Sequence, residues 1–299
     1  MALLIITTIL WAFSFSLIGE YLAGSVDSYF SVLMRVGLAA LVFLPFLRTR
    51  GQSPRTIVLY MLVGAMQLGI MYLLAFRAYL YLTVSEFLLF TVFTPLYITL
   101  IYDLLSGRKL RWGYLLSAAL AVLGAAILRY DKVSDHFWTG LLLVQLSNLC
   151  FAIGMVGYKR LMEVRPMPQH NAFAWFYVGA FIVAVAAWFM LGNAQKLPTT
   201  TLQWSVLVWL GVVASGLGYF MWNYGATQVD AGTLGIMNNV HVPAGLLVNL
   251  AIWQEQPHWP SFISGALVIL ASLWVHRRWV APHSGQTADD RRRGSAQSE

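Results

Sequence analysis

Apolar residues in this chain neither alternate with polar ones nor form one-sided stripes. They run on for about twenty positions at a time, and short polar turns separate the runs. A spanning helix needs about 20 mainly apolar residues, because each residue rises about 1.5 Å and the hydrocarbon layer is about 30 Å thick. The runs predict ten spans, near residues 2–20, 29–48, 57–79, 82–104, 112–128, 138–157, 171–191, 204–224, 231–252 and 260–280. The turn between the third and fourth is expected to be about three residues long. Runs of this length without a period of two do not fit a β-barrel. The first has no basic region ahead of it and no small-residue cleavage site, so it is expected to stay as a helix rather than leave as a signal peptide.

One run is polar in its middle. Residues 231–254 carry no formal charge, yet Asn238, Asn239, His241 and Pro243 cluster at their centre. Hydrocarbon makes unsatisfied polar groups expensive, and polar residues at that depth mark substrate or ion pathways.

Composition fixes the class: 59% hydrophobic residues, 10% charged residues and a mean hydropathy of +0.68 describe an all-α polytopic membrane protein. The net charge of +7 is topological information, not a nucleic-acid footprint. Arg48, Arg50 and Arg55, then Arg108, Lys109 and Arg111, then Lys159, Arg160 and Arg165, and finally Arg277, Arg278 and Arg291 to Arg293 all fall on one side. The opposite loops hold only Arg129, Lys132 and Lys196. Positive residues stay cytoplasmic, which predicts a multi-pass protein of the bacterial inner membrane with both termini in the cytoplasm. Trp112, Trp138, Trp204, Trp253, Trp259 and Trp279 lie near span ends, where an indole suits the headgroup zone. The one cysteine, Cys150, excludes an intramolecular disulfide and is expected to be a buried bystander. Residues 281–299 form a polar cytoplasmic tail expected to be disordered.

The chain also repeats itself. At an offset of 148, Leu62 falls on Leu210, Ala78 on Ala226, Pro95 on Pro243 and Leu120 on Val268; at an offset of 140, Trp11 falls on Phe151 and Ala12 on Ala152. Two five-helix units are expected, over 1–128 and 138–280, joined by a periplasmic connector at 129–137. Five is odd, so the second unit enters the membrane reversed. Inverted repeats of this kind build secondary transporters with a midplane site between them. Pro95 and Pro243 each remove a backbone donor and loosen the fourth and ninth spans at matched points, either as gating elements or as ordinary kinks.

The segment Ala78 to Ser85, leading into Thr94–Pro95–Leu96–Tyr97, and its counterpart from Ala226 through Pro243 resemble the doubled unit of the drug/metabolite transporter superfamily over residues 1–280. In Trp11 to Phe15, Arg77 to Tyr81, Asn238–Asn239 and His241 to Gly245 the chain is similar to biotin-importing members of the carboxylate/amino-acid transporter family. Many members of the superfamily carry a glutamate just after the fourth helix of the unit. Here the first half has Gly107–Arg108, and Glu255 approximates that position in the second. The resemblance implies a secondary transporter that imports biotin by alternating access, with no cofactor, no metal and no catalytic residue.

Several side chains can carry such a role. Arg35 lies about 9 Å along the second span at about 1.5 Å per residue. A charge there must face the bundle, a water-filled cavity or the interface. It is a candidate partner for a substrate carboxylate, a structural partner for Glu86, or a side chain reaching outward. Arg77, nearer its span end, reaches outward more readily. Glu86 converges with both arginines on one side, as an outer gate, a protonatable group or a permanent ion pair. Asn238, Asn239 and His241 lie at mid-depth with Asn148, and each can donate and accept hydrogen bonds. Gln67, Gln145 and Asn223 are further intramembrane amides, read as helix-packing contacts. If biotin is the substrate, as the resemblance implies, Asn148, Asn238 and Asn239 would meet its ureido group. Trp11, Phe15 and Trp222 would then pack its rings, and Arg35 or Arg77 its carboxylate. Gly211 with Ser215, and Ala214 with Gly218, space small residues four apart for close helix approach.

Two other functions compete: export of amino acids or other small metabolites, and an intramembrane enzyme using His241 and Glu86. No Walker loop or zinc-ligand set accompanies either, and no nucleophile pairs with a base.

Overall fold

The computed structural model describes residues 2–105, 135–229 and 231–254, with 263, 267, 271 and 274 as isolated positions. The fifth span and most of the tenth lie outside the described residues, as do Arg108, Lys109, Arg111, Trp112, Arg129, Lys132, Glu255, Trp259, Trp279 and the tail. The described residues form helices and no strand: α1 (Ala2–Tyr21), α2 (Ser28–Phe43), α3 (Pro54–Gly64), α4 (Met71–Ala78), α5 (Val84–Thr91), α6 (Thr94–Leu105), α7 (Asp135–Val164), α8 (Gln169–Leu191), α9 (Thr201–Trp209), α10 (Gly218–Thr227) and α11 (Ala231–Val248). A π-helical stretch, Ala65–Ile70, joins α3 to α4; another, Leu210–Leu217, joins α9 to α10; a third, Asn249–Trp253, follows α11.

Among the described residues seven rods are long and apolar enough to cross a membrane: Ala2–Tyr21, Ser28–Phe46, Pro54–Ala78, Val84–Leu105, Phe137–Val164, Gln169–Leu191 and Thr201–Thr227. They coincide with the predicted spans one to four and six to eight. The ninth is helical as expected, over Ala231–Val248 and on into the π-helical stretch, and Val240–Trp253 is a shorter apolar stretch within it. Helix starts follow from capping side chains. Asp27 accepts the Phe30 amide at 2.9 Å, Ser53 accepts the Thr56 amide ahead of Pro54, and Thr200 forms a capping box with Gln203. The turn before α5 is five residues, Tyr79–Thr83, not three, because Thr83 delays the helix by capping it.

Packing divides the chain into two compact units, one of Met1–Ile98 with Ser134–Gln256 and one of Thr99–Val133 with Pro257–Glu299. The first unit draws on both sequence halves and holds everything considered below.

Inside this unit polar side chains are buried beside apolar ones while large apolar side chains also face outward. Helix α1 buries Thr7, Thr8, Ser14 and Ser16 and turns Ile5, Ile6 and Ile9 outward. Lipid tails are as apolar as isoleucine, so nothing drives these side chains inward; small and hydroxyl-bearing residues pack the helices instead. The threonine hydroxyls are satisfied locally, Thr7 donating to the Leu3 carbonyl at 2.8 Å and Thr8 to that of Leu4 at 2.9 Å, whereas Ser16 donates across the bundle to Asn249 Oδ1 at 3.1 Å. Helices α3 and α8 meet backbone to backbone. A methyl group on Gly64 would strike the Phe176 carbonyl, and one on Gly179 would strike that of Met61. Only glycine permits that crossing.

The two π-helical stretches overlap partly at the 148-residue offset. Shifting Ala65–Ile70 by 148 gives 213–218, which overlaps Leu210–Leu217, and it places Gln67 on Ser215. The prolines behave differently. The fourth rod breaks between Thr91 and Thr94, just ahead of Pro95, whereas α11 continues through Pro243.

Candidate functional site

A cavity of about 100 Å³ sits among α1, α2, α4, α5, the start of α6, α7, α10 and α11. It is lined by Trp11, Ser14 and Phe15, by Arg35, by Tyr72 and Tyr79, by Phe87, Thr91 and Thr94, by Ser147, Asn148 and Phe151, and by Tyr219, Asn238 and His241. Trp11 and Phe151, which an offset of 140 aligns, meet edge to face at 6.5 Å.

Arg35 is the charge of this cavity. It is only 3% exposed, its Nε donates to Ser215 Oγ at 2.6 Å, and its guanidinium lies 4.2 Å from the Tyr72 ring centroid. Among the described residues no carboxylate lies within ion-pair distance of it. Of the alternatives open for Arg35, a structural pairing with Glu86 is not the arrangement seen. Glu86 instead completes a capping box, its Oε2 accepting the Thr83 amide at 2.9 Å while Thr83 Oγ1 accepts the Glu86 amide. A carboxylate at N3 is well placed there, since it meets the orphan amide and the positive end of the helix. Arg77 lies outside the cavity lining, its guanidinium 5.9 Å from the Tyr29 ring.

Ser215 owes its place to the π-helical stretch. Widening the helical turn releases backbone carbonyls from the usual ladder, and partner side chains take them up. Trp11 Nε1 donates to the Ala214 carbonyl at 2.8 Å, and Tyr177 Oη donates to that of Ser215 at 2.6 Å. Tyr72 Oη contacts Ser215 Oγ at 2.9 Å, so one hydroxyl ties the arginine to its aromatic support. The small-residue spacing has the expected effect: Gly211 lies under Leu38 and the Arg35 carbonyl, and Gly218 under the Trp11 indole.

The broken fourth rod forms another wall. The Phe90 carbonyl accepts from Asn148 Nδ2 at 2.9 Å and from Gln145 Nε2 at 3.3 Å, and Gln145 Oε1 in turn accepts from Tyr97. Irregular backbone at membrane depth survives where such partners satisfy it and a cavity adjoins it. Asn148 thus has one donor committed to structure.

On the opposite wall, His241 Nδ1 lies 2.8 Å from the Asn238 carbonyl. The ring packs against Trp11, with centroids 5.2 Å apart, and Trp222 at 4.8 Å. Trp222 does not line the cavity as expected. It is fully buried behind His241 and Trp11, its indole N–H directed at Met155 Sδ. The side chains of Asn239 and Pro243 lie outside the described residues. Gln67 and Asn223 form a reciprocal amide pair at 3.0 and 3.1 Å, away from the lining. Cys150 is half-buried rather than buried. Among the described residues no group of His, Cys, Asp or Glu is placed to hold a metal.

Sequence reading brought Trp11, Phe15, Arg35, Asn148, Asn238 and His241 forward, and the structure gathers all six around one cavity. It missed Tyr72, Tyr79 and Ser147. Ser215 was visible only as a small residue in a stripe, although a hydroxyl spaced with Gly211 could have been read as a polar contact.

The sequence pattern of the EamA-like transporter family matches residues 1–130 and 138–277. A biotin transporter of Escherichia coli (strain K12) is 83% identical over 299 residues, the full length of both chains. A probable biotin transporter of Pseudomonas aeruginosa (strain PAO1) is 55% identical over 279 residues, 93% of this chain and 97% of that one. One protein of known crystal structure matches with a TM-score of 0.64 at 17% identity, covering 92% of this chain and 95% of that chain, a likeness that bears on fold alone.

Proposed function

Because the chain belongs to the EamA-like transporter family, a family of membrane transporters and not of enzymes, we propose that it is a secondary-active inner-membrane transporter that imports biotin by alternating access. The observation that carries this reading is Arg35, a buried cation on a cavity wall with no anionic partner among the described residues. A lone buried charge is costly, and a substrate carboxylate that meets it removes the cost. Biotin has one such carboxylate, an apolar sulfur ring and a hydrogen-bonding ureido head. The same cavity offers Arg35, the Trp11, Phe15 and Phe151 rings, and the polar groups of Asn148, Asn238 and His241.

Two five-helix repeats of opposite orientation, 1–128 and 138–280, would rearrange about this site, with residues 129–137 as the periplasmic connector and both termini in the cytoplasm. Two observations support the repeat: the π-helical stretches at matched positions in the third and eighth spans, and the Trp11–Phe151 contact. In that orientation the parts of α1, α2, α4 and α5 that line the cavity belong to the periplasmic half of the membrane. Pro95, at the start of α6, and Pro243, within α11, mark the segments that would move.

Proteoliposomes holding the purified protein and given labelled biotin outside are expected to accumulate it under an imposed ion gradient and to exchange it without one. Absence of both accumulation and exchange would overturn the assignment. Efflux from loaded vesicles with no uptake in either orientation would favour the exporter.

A further inference from the structure

Three buried side-chain polar atoms have no hydrogen-bond partner among the described residues: Ser31 Oγ, Tyr79 Oη and His241 Nε2. Tyr79 and His241 both line the cavity. A buried polar atom left without a partner costs about 1–3 kcal/mol, and native proteins keep such atoms where a ligand or water completes them.

The chemistry of His241 is set by its other nitrogen. A backbone carbonyl can only accept a hydrogen bond, so the 2.8 Å contact from Nδ1 to the Asn238 carbonyl requires the hydrogen on Nδ1. In the neutral ring Nε2 is then a bare lone pair, an acceptor with no hydrogen of its own. The Trp11 and Trp222 rings hold the imidazole plane at this angle, and neither turns an N–H toward it, since those donors go to Ala214 and Met155.

Other acceptors line this cavity, the Asn148 and Asn238 carboxamide oxygens among them, but His241 Nε2 is the rigidly held ring acceptor that is buried there without a partner among the described residues. The guanidinium of Arg35 only donates, and one amide hydrogen of Asn148 is already spent on Phe90. We propose that His241 Nε2 is the specificity-determining acceptor for a ring N–H of the substrate, so that the site demands a cyclic urea-type donor at the end opposite the carboxylate. The inference rests on the biotin reading above and assigns the ureido N–H to His241, whereas the sequence pointed to asparagine side chains for that group.

The test is competition against labelled-biotin uptake in cells expressing the full chain, using biotin and biotin methylated on its ureido nitrogens. In the wild-type protein the methylated compound is expected to compete at least about tenfold more weakly, because a buried acceptor is left unpaired. His241→Phe keeps the ring volume without the lone pair, and the discrimination is expected to fall below about threefold. His241→Gln keeps an acceptor and should retain most of it. Equal competition by the two compounds in the wild type would overturn the proposal, as would discrimination preserved in His241→Phe, which would trace it to methyl bulk. Should His241→Phe fail to reach the membrane by immunoblot, His241→Met serves the same comparison. A wild-type protein that takes up no biotin would remove the functional reading itself and the inference with it, an outcome distinct from either of those.

Discussion

Arg35 and Ser215 lie 180 residues apart and meet at 2.6 Å, the arginine Nε donating to a serine hydroxyl held in a π-helical turn. Among the described residues no partner takes the two terminal guanidinium nitrogens, and the contact fixes the plane they lie in. Tyr72 braces the same plane from its face at 4.2 Å. A planar fork held in advance loses less entropy on meeting a carboxylate than a mobile one.

Ser215→Ala removes this anchor and leaves the charge in place. Hydrogen bonds to charged groups contribute about 1.5–3 kcal/mol, so KM for biotin is expected to rise about tenfold or more with a smaller change in kcat. Ser215→Thr keeps the hydroxyl and should lie nearer the wild type. Initial uptake rates across a biotin concentration series, at matched protein levels, separate the two constants. An unchanged KM in Ser215→Ala would show that the π-helical turn does not position the arginine.

The arginine itself reads charge. Wild-type protein is expected to prefer biotin over its neutral carboxamide by about a hundredfold, the value of a desolvated charge-assisted pair of roughly 3 kcal/mol. Arg35→Gln should lose most biotin uptake and also lose the preference, and Arg35→Lys should fall between because an ammonium cannot make the bidentate contact. Competition by the carboxamide in each variant is the measurement. A carboxamide that competes as well as biotin in the wild type would place the carboxylate elsewhere.

How far this arrangement could be read from the sequence depended on distance along the chain. Spans and their order followed from run length, because the bilayer imposes one length on every helix. The cavity residues that emerged were those whose type is out of place in hydrocarbon: Arg35, Asn148, Asn238 and His241. Tyrosines are ordinary in such spans, so Tyr72 and Tyr79 gave no signal until packing brought them to the cavity wall. Trp222 shows the converse. Its size suggested a platform for substrate rings, but whether an indole faces a cavity or backs it depends on helix rotation, which a run without a polar face does not encode. The capping role of Glu86 was missed for a related reason. Thr83 and Glu86 have the spacing of a helix start, and placing the fourth span at residue 82 hid the capping box that the three-residue interval spells out.

Where α3 crosses α8, stability rests on two missing side chains. Gly64→Ala and Gly179→Ala each force a methyl into a facing carbonyl, so each is expected to cost about 1–3 kcal/mol through backbone displacement. Gly51→Ala serves as a control for a different reason. Its surroundings are open but its φ of 81° is costly for alanine, so it should lose only about 1 kcal/mol without disturbing the crossing. Thermal unfolding in detergent, followed by exposure of Cys150 to a thiol reagent, ranks the variants. Gly64→Ala as stable as wild type would mean the two helices can separate without penalty.

The Gln67–Asn223 pair poses a sharper question, because each amide is both donor and acceptor to the other and neither is exposed. Replacing one partner with an apolar side chain leaves the other buried and unsatisfied, while replacing both removes the polar cost altogether. Gln67→Leu and Asn223→Leu are therefore each expected to destabilise by about 1–2 kcal/mol, and the double variant by less than either alone. Additive losses would show that the amides do not act as a pair. Transport supplies a second reading of the same cycle. An offset of 148 places Gln67 on Ser215, and under the proposed alternating access its π-helical stretch would change partners. The double variant should then regain stability without regaining wild-type exchange rates, because an apolar contact holds the helices together but cannot be traded for a new hydrogen bond when they move.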